Sequence, residues 1–255
     1  MKTNTNKTVL ITGGSRGLGR DMALQLAQKG FNVVLTYHSK DTEAKETVNS
    51  IKEFGRKAAA LQLDVAQSKS FDRFKNQLIT ILQSEFGTQK IDALVNNAGT
   101  GYHNDYQTST EEGFDNMVNI HLKAPFFLTQ KLLPVLNDGS SIVNISSGLT
   151  RFSFPGYSAY AIMKGGVETL SSYQAKELGD RKIRVNTVAP GAIETDFGGG
   201  AVRDNQELND MIAGMTALGR VGLPDDIGGV VAFLCSDESK WVNNQRIEVS
   251  GGIYV

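Results

Sequence analysis

At 255 residues with a formal net charge of −1, the chain can bury a full hydrophobic core without disulfides or metals. It has no charge excess to attract nucleic acid or an anionic membrane. Its single cysteine, Cys235, excludes an intrachain disulfide and suits a reducing compartment as a small buried apolar side chain. No run approaches the ~18 apolar residues of a membrane span, and the polar opening Met1 to Lys7 holds no apolar signal core. A cytoplasmic location is therefore expected.

Apolar β-branched runs alternate with helical patterns along the chain. Thr8 to Ile11 reads as a first strand, and Leu18, Met22 and Leu26 at four-residue spacing read as an amphipathic helix ended by Gly30. Val33 to Leu35 is a second strand, Asp41 to Phe54 a polar helix stopped by Gly55, and Ala58 to Leu63 a third strand. Ser68 reads as the N-cap of a helix reaching Phe86. Ile91 to Val95 is strand four. A long helix from Thr110 to Leu136 follows, with Pro125 and Pro134 inside or bounding it. Ile142 to Ile145 is strand five, Tyr157 to Leu178 a helix rich in small residues, and Ile183 to Val188 strand six. A helix over Asp225 to Leu234 and a strand over Arg246 to Val249 close the chain.

Strand–helix alternation with strands buried on both faces predicts an α/β fold: one Rossmann-type domain over residues 1–255, a doubly wound parallel sheet between two helical layers. Ligands of such sheets bind at the carboxyl ends of the strands. Residues 191–216, with Gly198, Gly199 and Gly200 and few strong apolar positions, read as a mobile segment beside the site or as an ordinary surface insertion.

The first strand runs into Thr12-Gly13-Gly14-Ser15-Arg16-Gly17-Leu18-Gly19 and then directly into a helix. Glycines let the backbone approach a ligand closely. A helix N-terminus offers free N–H groups and the positive dipole end to a pyrophosphate. A second pattern is Tyr160-x-x-x-Lys164, with Ser147 thirteen residues before the tyrosine. Residues four apart share a helix face. An ammonium at Lys164 therefore lies beside the Tyr160 phenol, which it is expected to acidify from ~10. Ser147 can hydrogen-bond the same substrate oxygen.

The glycine turn, Asn96-Asn97-Ala98-Gly99 after strand four, Ser147, Tyr160 with Lys164, and Pro190-Gly191 after strand six together resemble the short-chain dehydrogenase/reductase family, in order and spacing over nearly the whole chain. The resemblance implies a Rossmann-type domain, a nicotinamide cofactor and a homotetramer joined through the long helices near Thr110 and Tyr157. It implies cofactor contacts from Gly13, Ser15, Arg16, Gly17, Leu18 and Gly19. It adds Asp64 and Val65 at the adenine, and Asn97, Ala98 and Gly99 at the adenosine ribose. Tyr160 and Lys164 reach the nicotinamide ribose, and Pro190, Gly191, Ile193 and Thr195 the nicotinamide and pyrophosphate. The alternative for Asp64 is a cap on the following helix.

A dinucleotide site selects NAD with a carboxylate at the end of strand two. This chain places Tyr37-His38-Ser39-Lys40 there, and its first acid, Asp41, lies beyond the strand. Arg16 suits a 2′-phosphate, with His38 and Ser39 as further donors. NADP(H) is favoured, with NAD(H) as the alternative. The expected reaction is hydride delivery to a carbonyl carbon, with Tyr160 as general acid, Ser147 orienting the oxygen and Lys164 acidifying the phenol and holding the ribose.

One position departs from the family. Its usual asparagine on the long helix, which holds a water next to the lysine, is His121 here. A neutral imidazole can donate and accept, so His121 either keeps the relay, with a pH limb near its own titration, or packs as a structural histidine. His103, in the loop after strand four, is expected to be exposed. Tyr102, Phe152, Phe154, Tyr157 and Phe197 suggest a partly apolar small-molecule carbonyl or alcohol. A 3-oxoacyl-carrier-protein substrate is an alternative that Asp138, on the segment into strand five, disfavours. A dehydrogenase oxidising a sugar or secondary alcohol and a non-catalytic nucleotide-binding protein remain as further readings. No cluster has metal-ligand spacing.

Overall fold

The structure, a computed structural model, describes residues 7–255. The expectation drawn from the polar opening concerns residues 1–6, outside the described residues. Seven strands form one sheet: β1 (Thr8–Ile11), β2 (Asn32–Tyr37), β3 (Ala58–Gln62), β4 (Ile91–Asn96), β5 (Leu136–Ile145), β6 (Arg184–Pro190) and β7 (Arg246–Val249). Their order is β3-β2-β1-β4-β5-β6-β7, and every pair is parallel. The order reverses between β1 and β4, so a crevice opens beyond their carboxyl ends.

Strand side chains alternate between faces. Val9 and Ile11 pack with α1 (Gly17–Gln28) and the late helix α9 (Asp225–Cys235) through Met22, Leu26, Ile227, Val231 and Leu234. Leu10, between them, points the other way into a second core with Phe71, Phe74 and Leu78, where Leu94 and Ile142 of β4 and β5 also lie. The remaining helices are α2 (Asp41–Glu53), α3 (Phe71–Ile81), α4 (Glu111–Val118), α5 (Thr129–Leu132), α6 (Ser158–Glu177), α7 (Ala201–Asp204) and α8 (Gln206–Gly214). A fully buried Leu or Ile contributes ~1.5–3 kcal/mol, so the two cores fix the sheet's register and the direction in which each strand end points.

Most predicted elements lie within two residues of these bounds. Ser68 caps no α-helix: a single 3-10 turn, Ser68–Ser70, precedes α3. Strand five begins at Leu136, six residues early. The long helix is continuous but not uniform. Between α4 and α5, residues Asn119–Leu128 form a π-helix with Pro125 inside it. A proline lacks the N–H for an α-helical bond, and the wider turn accommodates the defect. Within residues 191–216, Ile212 is buried with Val221 and Ile253 and anchors the end of the segment.

Candidate active site

The glycine turn is shaped by two threonines, Thr12 at the head of the motif and Thr36, which no sequence pattern singles out. Thr36 of β2 receives the Gly13 N–H on its hydroxyl (3.1 Å) and the Gly14 N–H on its carbonyl (2.9 Å). The Thr12 hydroxyl accepts from the N–H groups of Asn97 and Ala98 (both 3.0 Å), which joins the turn to the end of β4. Asn97 Nδ2 donates back to the carbonyls of Thr12 (2.9 Å) and Gly13 (3.0 Å). Gly13 has φ 67°, in the left-handed region. A Cβ at Gly19 would lie 2.0 Å from the Gly13 oxygen. Helix α1 starts at Gly17 with no side-chain cap and no acid in its first turn. Its N–H groups and positive dipole end stay available to an anion, and the turn fits a dinucleotide pyrophosphate on these grounds.

Ser147 and Tyr160 meet as expected. Ser147 lies two residues beyond β5 in extended conformation (φ −158°, ψ 151°), accepts the Leu149 N–H on its hydroxyl (3.2 Å), and acts on the Tyr160 phenol from beside it. Lys164, one turn along α6, is 5 % exposed and donates from Nζ to the Ile145 carbonyl (2.8 Å), with its ammonium 5.5 Å from the Tyr160 ring centre. The expected acidification of the phenol is corrected. Burial pushes Tyr160 above its ordinary value, and the nearby Ser147 hydroxyl offsets only part of that. Burial also pushes the Lys164 amine down to about 8. The reason is shared: both groups left water together, so desolvation outweighs their mutual attraction. Tyr160 is thus a neutral phenol over the whole ordinary pH range, the protonation state a general acid needs.

His121 lies in the π-helical segment, 2 % exposed, with its ring edge-on to Tyr160 at 5.2 Å between centres. Nε2 is 2.9 Å from the Thr100 carbonyl and 3.4 Å from the Thr100 N–H. The shorter contact makes Nε2 the protonated nitrogen. Nδ1 is then an acceptor with no partner among the described residues. Burial first, and the Lys164 charge second, push the imidazole down to about 3. The expected pH limb from His121 near its ordinary value is therefore corrected: the imidazole is neutral around neutral pH. His121 and Lys164 border a cavity of about 20 Å³, shared with Thr12, Asn96 and Ile145, which has room for one water.

The other predicted positions divide. Gly99 packs under His121, and a Cβ there would lie 2.7 Å from the imidazole. Ser15 is buried, and its carbonyl accepts from Thr47 (3.1 Å); Leu18 packs on the core. Gly17 lies against Thr195, whose hydroxyl accepts from the Phe197 N–H (3.1 Å). Pro190 ends β6, the Gly191 N–H donates to the Val249 carbonyl (3.0 Å), and Ile193 bridges to Gly222. Arg16 is half-exposed and pairs with Asp196 at 3.2 Å, tying the glycine turn to the segment after β6. His38 and Ser39 lie exposed beyond β2. Asp64 accepts from the Ala66 N–H (2.9 Å), a local turn, and lies 3.8 Å from His38. These two border a groove of about 240 Å³ that also contains Arg73, unremarked in the sequence. Val65 lies on the opposite side, against the small cavity by Lys164.

Phe197 packs on Tyr160 at 5.8 Å between ring centres, whereas Phe152 and Phe154 gather around Tyr254, a residue the sequence offered no reason to choose. Tyr157 stacks edge-on with His103, which is exposed as expected. Asp138 is misplaced in the expectation. It pairs with Arg181 at 2.8 Å near the start of β5, nine residues and roughly 30 Å of strand from Ser147, so its charge says nothing about what docks at the site.

Comparison with known proteins agrees with this geometry. The protein-family profile described as Enoyl-(Acyl carrier protein) reductase matches residues 13–254. The chain belongs to the short-chain dehydrogenase/reductase family. It is 38% identical over 252 residues to a 3-oxoacyl-(acyl-carrier-protein) reductase FabG of Staphylococcus epidermidis, covering 98% of this chain and 100% of that one. It is 35% identical over 257 residues to a hydroxynaphthalene reductase-like protein Arp2 of Metarhizium brunneum, covering 96% and 94%. Among solved structures it resembles the angucycline C-6 ketoreductase LanV with bound NADP, at a TM-score of 0.93 and 35% identity over 98% and 96% of the two chains. Like the family, it is an oxidoreductase acting on carbonyl or alcohol groups.

Proposed function

We propose that the protein is an NADPH-dependent ketoreductase in which Tyr160 protonates the carbonyl oxygen. The observation that carries this reading is the buried, neutral Tyr160 phenol with Ser147 and the buried Lys164 beside it at the carboxyl end of the sheet. The cofactor would lie with its pyrophosphate on the turn Gly13, Ser15, Arg16, Gly17, Leu18 and Gly19, and with Asn97, Ala98 and Gly99 alongside. Asp64 and Val65 would border the adenine side, and Pro190, Gly191, Ile193 and Thr195 the nicotinamide side. When bound, it supplies the hydride. Arg16 would leave Asp196 for a 2′-phosphate, with His38 and Ser39 adding donors.

Ser147 donates toward the substrate oxygen and holds it near the phenol. Tyr160 gives up its proton as negative charge develops on that oxygen, and the buried Lys164 amine stabilises the phenolate left behind. His121 presents an acceptor nitrogen beside the small cavity next to Lys164, which supports a water-mediated path for the proton that Tyr160 must recover. The aromatic groups around Phe152 and Phe197 support a ring-bearing ketone as substrate, as do the two ketoreductase-type relatives. A second reading, reduction of a 3-oxoacyl group on a carrier protein, rests on the Staphylococcus relative. The segment 191–216 is proposed to close over the substrate, since Phe197 already contacts Tyr160.

Exposed Phe114, Phe126, Phe127, Ile162 and Tyr173 on the long helix and α6 support a homotetramer joined there. Light scattering tests this, and a monomer refutes it. The lone buried Cys235 supports a reducing, cytoplasmic setting. For the chemistry, NADPH turnover is measured on a panel of aromatic ketones and 3-oxoacyl thioesters with wild type and Tyr160→Phe. Loss of the general acid costs about 10²–10⁴-fold in rate. Equal turnover in the two proteins would refute the mechanism.

A further inference from the structure

Helix α6 carries Tyr160, Lys164 and Glu168 at successive four-residue intervals, and such residues line one helix face. The first two face the site. Glu168, one turn further on, reaches the loop that follows β5. Its Oε1 accepts from Ser146 Oγ (2.7 Å), Thr150 Oγ1 (2.8 Å) and Arg246 Nε (2.7 Å). Ser146 and Thr150 bracket Ser147. Arg246, arriving from β7, donates to the Ser147 carbonyl (3.3 Å) and to Thr150 Oγ1 (3.0 Å). Thr150 has one hydroxyl proton and two acceptors within reach, the carboxylate and the Ser147 carbonyl at 3.0 Å. The charged acceptor wins, which leaves the Ser147 carbonyl to Arg246 and to the Thr150 N–H (3.3 Å).

Arg246 is itself held by Glu248 (3.0 Å), which also receives two bonds from Arg151 at 2.8 and 2.7 Å. The arrangement is half-buried: the side chains of Glu168, Arg246 and Glu248 are 23%, 28% and 19% exposed. Exposed ion pairs of this size contribute little to stability, yet this one has its bonds aimed at the residues on either side of the catalytic serine.

We propose that Glu168, braced by Arg246, is a positioning residue that fixes the Ser147 hydroxyl relative to the Tyr160 phenol, a role that rests on the reading of those two as the site's proton donors. Ser147 sits on a loop and Tyr160 on a helix, so nothing within either element sets the distance between their hydroxyls. Glu168 does, because it ties the loop to the helix that carries the phenol. A reacting group displaced by about 1 Å can lose 10²-fold in rate.

The test is a double-mutant cycle on the NADPH-linked reduction, run with thermal melting of each variant. Glu168→Ala is expected to lower kcat about tenfold or more while KM for NADPH stays within about twofold. In a Ser147→Ala background the same change is expected to alter kcat less than about twofold, because its effect passes through a hydroxyl already gone. Glu168→Gln keeps the acceptor oxygen and is expected to recover most of the rate. Should Glu168→Ala not fold, Ser146→Ala with Thr150→Ala removes the carboxylate's direct bonds to the loop, keeps the Glu168–Arg246 pair and its bond to the Ser147 carbonyl, and is expected to show a loss in the same direction and the same non-additivity. Undiminished kcat in the folded single variant, or an equal loss in both backgrounds, overturns the proposal. If Tyr160→Phe is inactive while Glu168→Ala is not impaired, only the positioning role falls. If Tyr160→Phe keeps full turnover, the underlying mechanism falls with it.

Discussion

Replacing Gly19 by alanine tests whether the glycine turn is as tightly closed as its geometry indicates. The new Cβ would lie 2.0 Å from the Gly13 oxygen and 2.6 Å from Asn97 Nδ2. The first obstacle is backbone and cannot rotate aside. Asn97 Nδ2 is held by two hydrogen bonds, to Thr12 and Gly13. Forced displacement of packed backbone costs ~1–3 kcal/mol, and two weakened hydrogen bonds add ~1 kcal/mol each. The sum is about 3–5 kcal/mol, against a total stability of roughly 5–15 kcal/mol. In a chain of this size ~1 kcal/mol moves Tm by about 2–4 °C, so a drop near 10 °C is expected, with NADPH binding lost because the same oxygen and amide shape the cradle. Gly165→Ala is the internal control. It lies within α6 with nothing within 4 Å of its added carbon, so a gain of ~0.5–1 kcal/mol is expected. Thermal melting and NADPH fluorescence titration read both. A Gly19→Ala protein that melts within about 2 °C of wild type and binds NADPH normally would refute the reasoning.

Two further outcomes follow from charge. The unfolded chain protonates His121 near 6.5 but the folded protein only near 3. Between those values the unfolded state holds the extra proton, so this contribution to stability is complete above about pH 6.5 and is lost as pH falls, at ~1.4 kcal/mol per unit. His121→Asn should flatten the denaturant midpoint between pH 6.5 and 4.5, and an unchanged slope would show that the imidazole charges inside the fold. Arg16→Ala is expected to raise KM for NADPH about tenfold and leave NADH nearly unchanged, since a charge-assisted bond contributes ~1.5–3 kcal/mol. Its exposed pair with Asp196 contributes ~1 kcal/mol at most, so Tm should hardly move; equal effects on both cofactors would remove Arg16 from the phosphate site.

The sheet, its helical layers and the places of the glycine turn, Ser147, Tyr160 and Lys164 were legible in the sequence alone. Each rests on local signals: β-branched runs that no surface helix would carry, glycines at a strand–helix junction, and a four-residue spacing on one helix. What depended on burial was not legible. The spacing of Tyr160 and Lys164 is a fact of sequence, but the direction of the phenol's shift was settled by how far both groups are removed from water. His121 reads as a titrating group in the sequence, but the fold buries it within the π-helical segment, where it stays neutral. Asp138 looked close to the site in sequence and lies at the other end of its strand. Thr12, Thr36, Tyr254 and the Glu168–Arg246 tie come from segments distant in sequence. Only the packed sheet brings them to one end, because long-range contacts are set by which strands pair, and no local pattern encodes that pairing.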